Sequence, residues 1–197
     1  MKLYWCPKTR AIRALWMLEE LGVAYDRVRI DVRDPAAKAD PAFRAVSPMG
    51  KVPALEDGST RLWDSGAICA YLADQYPKAE LAPPIGSADR GAYLQWLLYT
   101  NAVIEPAMAE KFTNAPASAA AHGWGSFDLM LGVLREGLSR GPFILGQKFS
   151  AADVLLGTAC HFMRTFKILE SDLILFGFAD RCMARPAFKR AAALEVL

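Results

Sequence analysis

Histidine is the scarcest chemistry-bearing residue in this sequence: His122 and His161 are the only two among 197 residues. Neither forms a ligand-like cluster with Cys6, Cys69, Cys160 or Cys182, so no metal is expected. The four cysteines are widely spaced and make no Cys-x-x-Cys pair, which points to reduced thiols rather than a disulfide framework. No apolar run approaches the ~20 residues of a membrane span. Met1-Lys2-Leu3-Tyr4-Trp5 lacks the apolar core of a signal peptide and moves straight into a strand pattern. A cytoplasmic chain with no membrane partner is the expectation. Basic blocks are missing too: 23 Lys and Arg are interspersed with 21 Asp and Glu for a net charge of +2, which argues against a nucleic-acid partner.

What remains suffices for a core. Apolar residues make up 53% of the chain, enough for one large domain or two modest ones without staples. The first third alternates strand and helix patterns. Lys2 to Trp5 is a short strand, and Thr9 to Leu21 is a helix with Ile12, Leu15, Trp16 and Leu18 at helical spacing and Gly22 placed to end it. Tyr25 to Val32 switches to period two, with Val28, Ile30 and Val32 on one face and Arg27, Arg29 and Asp31 on the other. Ala36 to Val46 is weakly helical. Val52 to Leu55 and Thr60 to Trp63 form a hairpin through Asp57-Gly58, and Ser65 to Tyr76 is a helix with Pro77 beyond its end.

The stretch Pro77 to Ser87, with Pro83-Pro84, reads as a linker. Beyond it every pattern is helical: Asp89 to Lys111, then about Ala117 to Ser139 with an interruption near Gly123-Trp124-Gly125. After Gly141-Pro142 comes Ser150-Ala151-Ala152-Asp153, a capping box, with Phe149 placed to staple onto Val154. The expected organisation is an α/β domain over residues 1–77, a linker over 78–87 and an all-helical domain over 88–197.

Two short motifs in the α/β half carry chemistry. Val52-Pro53 opens a strand where the missing proline amide is not needed by the ladder. If that bond is cis, Val52 can offer its backbone N–H and C=O to an extended peptide; the alternative is a loop proline. Asp64-Ser65 stands at a helix start, where a carboxylate and a hydroxyl beside free amides suit a ligand's amine and carboxylate. The alternative there is an ordinary N-cap.

Together, the Leu3-Tyr4 strand, the Leu18-to-Gly22 helix end, Gly50 to Leu55, Asp64 to Tyr71 and the Ser150-to-Asp153 box resemble the soluble glutathione transferase family, of a bacterial-like, serine/threonine type. The resemblance implies an N-terminal thioredoxin-like domain (βαβαββα), a C-terminal helical domain, glutathione as co-substrate and a homodimer. It implies that Val52, next to Pro53, pairs with the cysteinyl unit of glutathione. Asp64 and Ser65 would hold the γ-glutamyl end, and Lys51, with Lys38 as a second cation, the glycine carboxylate. Many members have Glu where this chain has Asp64, one methylene shorter.

The reaction it implies is conjugation of the glutathione thiolate to a small apolar electrophile, as in detoxification. A free thiol has a pKa near ~8.5, and lowering it by ~2 units takes about 2.7 kcal/mol of preferential stabilisation of the anion. A hydroxyl donor plus roughly half a charge from a helix N-terminus is of that size. Thr9 stands where serine-type members keep the activating hydroxyl, with Arg10 adding positive charge. Cys6 is the rival, because Cys6-Pro7-Lys8-Thr9 resembles a glutaredoxin-like centre and would serve a glutathione-dependent reductase or deglutathionylase. A third reading is a non-catalytic, transferase-like binding protein. Trp5, Tyr99, Val103, Met108 and Phe112 are candidates for an apolar electrophile wall. The capping box makes one prediction from sequence alone: Ser150→Ala costs about 1 kcal/mol in chemical unfolding.

Overall fold

A computed structural model describes residues 1–113 and 120–195. The chain forms two compact units, the first of Met1–Ala79 together with Arg185–Leu197 and the second of Glu80–Ala184. Sequence reading kept residues 88–197 together. The last segment instead joins the first unit, because its helix packs on the first helix of the chain.

In the first unit a four-stranded sheet has the order β2-β1-β3-β4. Strand β1 (Lys2–Trp5) runs parallel to β2 (Asp26–Arg29) and antiparallel to β3 (Ala54–Asp57), which pairs with β4 (Thr60–Trp63) across a turn where Gly58 has φ +58°. Helix α1 (Ala11–Leu21) follows β1 and ends at Gly22 in the left-handed conformation, as its sequence predicts. Helix α4 (Ser65–Gln75) follows β4. The regular part of the expected second strand is only Asp26–Arg29, but its inward face is as predicted. Ile30 is buried with Tyr4, Phe43, Val46 and Ala54, and Val28 and Val32 pack against them.

The weakly helical stretch resolves into two helices, α2 (Pro35–Ala39) and α3 (Pro41–Val46). Each starts with proline at its first turn behind an aspartate cap. Asp34 accepts from the Ala36 amide, and Asp40 accepts from the amides of Ala42 and Phe43. Proline cannot donate to a preceding turn, so Asp40-Pro41 divides what would otherwise be one helix.

The helical unit departs from expectation in two places. The uniform helix expected over Asp89 to Lys111 is α5 (Arg90–Tyr99), a π-helical turn (Thr100–Ile104) and α6 (Glu105–Thr113). Pro106 has no N–H for the Ala102 carbonyl and its ring crowds that carbonyl; widening the turn relieves this, with the Glu105 N–H reaching back to the Thr100 carbonyl. Part of the helix expected from Ala117 lies outside the described residues. From Ala120 to Gly125 the chain makes turns, and α7 (Phe127–Leu138) begins only after Ser126, whose hydroxyl accepts from the Leu129 amide. Leu81, in the stretch read as linker, is buried and its carbonyl accepts the Ala151 amide at 2.8 Å.

Helix α8 (Ala151–Thr165) is buried around its whole circumference from Ala151 to Cys160, the mark of a central core helix. It packs against α5 and α9 (Leu173–Met183), with Gly157 leaving room for Cys182. Its capping box is present. The Ser150 amide and hydroxyl donate to Asp153 Oδ2 at 2.9 and 3.0 Å, and the Ile144 amide donates to Oδ1 at 2.8 Å. Phe149 lies edge-on to Phe143, centroids 5.3 Å apart.

Asp153 is fully buried, and burial pushes its carboxyl up to about 6 against the pull of those hydrogen bonds. A carboxyl raised on folding contributes stability at low pH, and that contribution is lost as pH rises from about 4 to about 6. Asp153→Asn is therefore expected to flatten this slope in unfolding curves collected across pH 4–6. Asp153→Ala, which orphans three buried donors, is expected to cost about 2–4 kcal/mol at pH 7.

Candidate functional site

Three loops of the first unit carry the site residues expected from sequence. The first links β1 to α1. Cys6 is 2% exposed, and Arg33 Nη1 lies 3.9 Å from its sulfur. The half-buried Thr9 hydroxyl donates to the Cys6 carbonyl at 2.7 Å and accepts the Ala11 amide at 3.2 Å. Its one proton is therefore engaged, and the two rival residues are joined by a single hydrogen bond. Arg10 is exposed at the N-cap of α1. Tyr4 is turned elsewhere: its hydroxyl donates to Glu56 Oε2 at 3.5 Å, and burial followed by the Glu56 charge raises its pKa.

The second loop runs from Ser47 to Pro53. Pro48 sits at the second position of a turn closed by the Gly50 amide on the Ser47 carbonyl, 2.8 Å. The buried Ser47 hydroxyl then grips Lys51 from both sides, donating to its carbonyl at 2.8 Å and accepting its amide at 3.1 Å. This fixes the exit of the loop into Val52-Pro53, whose peptide bond is cis. Gly50 has φ +63°, and a methyl added there would lie 2.7 Å from Arg44 Nη1 and 3.3 Å from the Lys38 carbonyl oxygen. Lys38 and Lys51, proposed from sequence as a pair, thus belong to chain segments that meet at Gly50, and the exposed Arg44 brings a third cation to the same spot.

The third loop is the turn into α4. Asp64 is an exposed non-glycine residue at φ +82°, and its Oδ1 accepts the amides of Gly66 at 2.8 Å and Ala67 at 3.3 Å. Such a backbone costs on the order of 1–3 kcal/mol and persists where its surroundings enforce it. Ser65 is buried, and its hydroxyl accepts from Arg13 Nη1 at 3.1 Å. Arg13 is fully buried in α1, so a cation stands directly beneath the Asp64-Ser65 corner. Burial pushes the nearby Cys69 thiol up to about 12, with Arg13 pulling it down and Asp64 pushing it up.

The residues expected to form an electrophile wall are differently placed. Trp5 is buried on β1 with the Arg27 guanidinium 5.5 Å over its ring. In the helical unit Tyr99 is a core residue whose hydroxyl donates to the Met130 carbonyl at 3.1 Å. Val103 and Met108 are half-buried, and Phe112 is 67% exposed. Among the described residues no group of three or more His, Cys, Asp or Glu side chains could hold a metal ion, and no helix is long and apolar enough to cross a membrane.

Comparison with known proteins agrees with this architecture. Residues 5–75 match the family model for the glutathione S-transferase N-terminal domain, and residues 116–193 match that for the C-terminal domain. A sphingomonad glutathione S-transferase, solved in complex with glutathione, superposes with a TM-score of 0.80 at 31% identity over 100% of both chains. The chain belongs to the glutathione S-transferase family. Within that family it is similar to glutathione S-transferase GstA of Escherichia coli O157:H7, 28% identical over 200 residues and 100% of both chains. It is also similar to the disulfide-bond oxidoreductase YfcG of Escherichia coli K12, 27% identical over 96% of this chain and 93% of that one. The thioredoxin-like and helical domains expected from sequence are those of this family, and at this level the chain is a glutathione transferase.

Sequence reading of this transferase missed Arg13, Arg33, Arg44 and Ser47. Arg44 sits inside α3, three residues after its opening Pro41 and four before Pro48, so its distance from Gly50 is within local reach; Arg13 and Arg33 depend on long-range packing. Gly50→Ala tests the second loop. It is expected to cost at least about 1–2 kcal/mol, from the left-handed backbone alone, with displacement of Arg44, read by urea unfolding.

Proposed function

We propose that this transferase conjugates the thiolate of glutathione to small apolar electrophiles. Val52 pairs with the cysteinyl backbone, Asp64 meets the γ-glutamyl amine, and Lys51, Lys38 and Arg44 meet the glycine carboxylate. Asp64 carries the reading. It is an exposed acid held in a costly backbone at a helix N-terminus, with a buried arginine beneath its neighbour. The sphingomonad relative that holds glutathione supports it.

Thr9 serves the sulfur. A hydrogen bond to a charged acceptor is worth a net ~1.5–3 kcal/mol, against ~0.5–1.5 for a neutral one. An arriving thiolate therefore favours turning the hydroxyl from the Cys6 carbonyl toward sulfur. The N-terminus of α1 and Arg10 add positive potential. The protein works as a cytoplasmic homodimer in this reading.

A second reading, thiol reduction through Cys6, has one observation in its favour, the Arg33 guanidinium beside the sulfur, and the oxidoreductase relative as precedent. The near-complete burial of Cys6 weighs against it.

Retention on immobilised glutathione, lost in Asp64→Ala, tests the binding site. Thr9→Val is expected to lower kcat/KM for conjugation by about 10- to 100-fold, the worth of one charged hydrogen bond, with Thr9→Ser retaining most activity. If conjugation survives Thr9→Val and disappears in Cys6→Ser, the assignment of Thr9 is wrong.

A further inference from the structure

Lys8 lies between Cys6 and Thr9 with φ +58°, a conformation that L-residues other than glycine adopt reluctantly. Nothing in the sequence of this loop demands it. Its amide donates to Glu195 Oε1 at 3.0 Å, across 187 positions of sequence. The acceptor comes from the end of α10 (Pro186–Leu194), where Glu195 is the C-cap.

Helix α10 is firmly placed. At its start Arg185 makes a two-pronged pair with Glu20, 2.6 and 2.8 Å. Arg190 reaches the Glu19 carboxylate at 2.8 Å and the Glu19 carbonyl at 2.6 Å. Phe188 lies edge-on to Trp16, centroids 5.0 Å apart. Glu19 and Glu20 are at the C-terminal end of α1, and Lys8 precedes its N-terminal end. Helix α10 therefore runs antiparallel along α1 and delivers Glu195 to the loop from which α1 starts.

We propose that Glu195 is a positioning residue for the sulfur site, holding Lys8 in its left-handed conformation so that the Thr9 hydroxyl stays within one side-chain rotation of the glutathione thiol. The inference rests on the reading of Thr9 as the residue that serves the sulfur. A carboxylate acceptor makes a charge-assisted bond, roughly twice as strong as a neutral one. Glu195 is half-buried while Lys8 is exposed, so the bond itself lies at the surface and holds by its charge assistance and by the placement of α10. Burial also raises the Glu195 carboxyl, and the Lys8 amide and charge pull it back. The hydroxyl three atoms of backbone away has a short reach, so a small rotation at Lys8 removes it from the sulfur while the glutathione-holding residues Val52 and Asp64, on other loops, stay in place.

The test compares Glu195→Ala and Glu195→Gln in the full chain, with glutathione and 1-chloro-2,4-dinitrobenzene as substrates. In Glu195→Ala, exchange of the Lys8 amide should accelerate at least about tenfold, and kcat should fall about tenfold with KM for glutathione changed less than about twofold. Gln, which keeps a carbonyl acceptor, should restore most of both. Faster Lys8 exchange with unchanged kcat overturns the proposal, as does a loss of kcat that Gln fails to rescue or that tracks a matching rise in KM. A parent chain that binds glutathione but does not conjugate refutes the functional reading alone, and the Lys8 exchange rates of the two variants still decide whether Glu195 holds the loop.

Discussion

The two-pronged bond between Arg185 and Glu20 holds the beginning and the end of the chain together. Glu20 is nearly buried and also accepts the Trp16 indole N–H at 2.8 Å, so its charge is shared between a cation and a neutral donor. Planar guanidinium and carboxylate meet at both prongs, which fixes direction as well as distance. That direction sets the axis of α10, and the axis decides where Glu195 arrives. A lysine in place of Arg185 would keep the charge but not the fork.

Helix α1 is buried from Ala11 to Leu18 without interruption, an unusual load for a helix that contains Arg13. A buried cation is expensive unless it is satisfied. Here it lies against the Ser65 hydroxyl, close enough to the Asp64 charge that both act on Cys69. The helical unit holds the complementary case in Asp153, where three donors offset the cost of burying a carboxyl. The two differ in what surrounds them. Asp153 sits inside a cap that needs no ligand, whereas Arg13 underlies a strained and solvent-facing corner.

Local rules made the sheet, the first helix, the hairpin and the capping box legible, because each depends on neighbours within four residues or on period two. Two misses were also local. Asp40-Pro41 and Pro106 are breakers visible in the sequence, and each overrides the helical periodicity around it. The remaining misses are tertiary. Arg13 is one of them: on a helix buried from Ala11 to Leu18 there is no solvated face for it, and its partner comes from another element. The return of α10 to the first unit depends on pairs more than 160 positions apart. Asp64 is legible as a helix cap by its place before an apolar helix, while the partners of Thr9 and Ser65 are not, since a hydroxyl's partner is set by geometry rather than by residue type.

The Thr9–Cys6 hydrogen bond bears on how one fold accommodates both named activities of its relatives. In the proposed reading, holding glutathione and acting on its sulfur are separate tasks that fall to different loops: Asp64 and the Ser47–Pro53 turn for the first, the start of α1 for the second. At the start of α1 this chain carries both a hydroxyl and a thiol, and the bond runs from the hydroxyl to the backbone of the thiol residue, not to its sulfur. The hydroxyl is half-exposed at the helix N-terminus, while the thiol is enclosed beside Arg33. Reaction at Cys6 requires its enclosed sulfur to become accessible; activation by Thr9 requires only a rotation about one side-chain torsion. The smaller movement is the argument for the proposed conjugation over reduction, and under the proposed role of Glu195 it stays small only while that glutamate keeps Lys8 and the loop where they are.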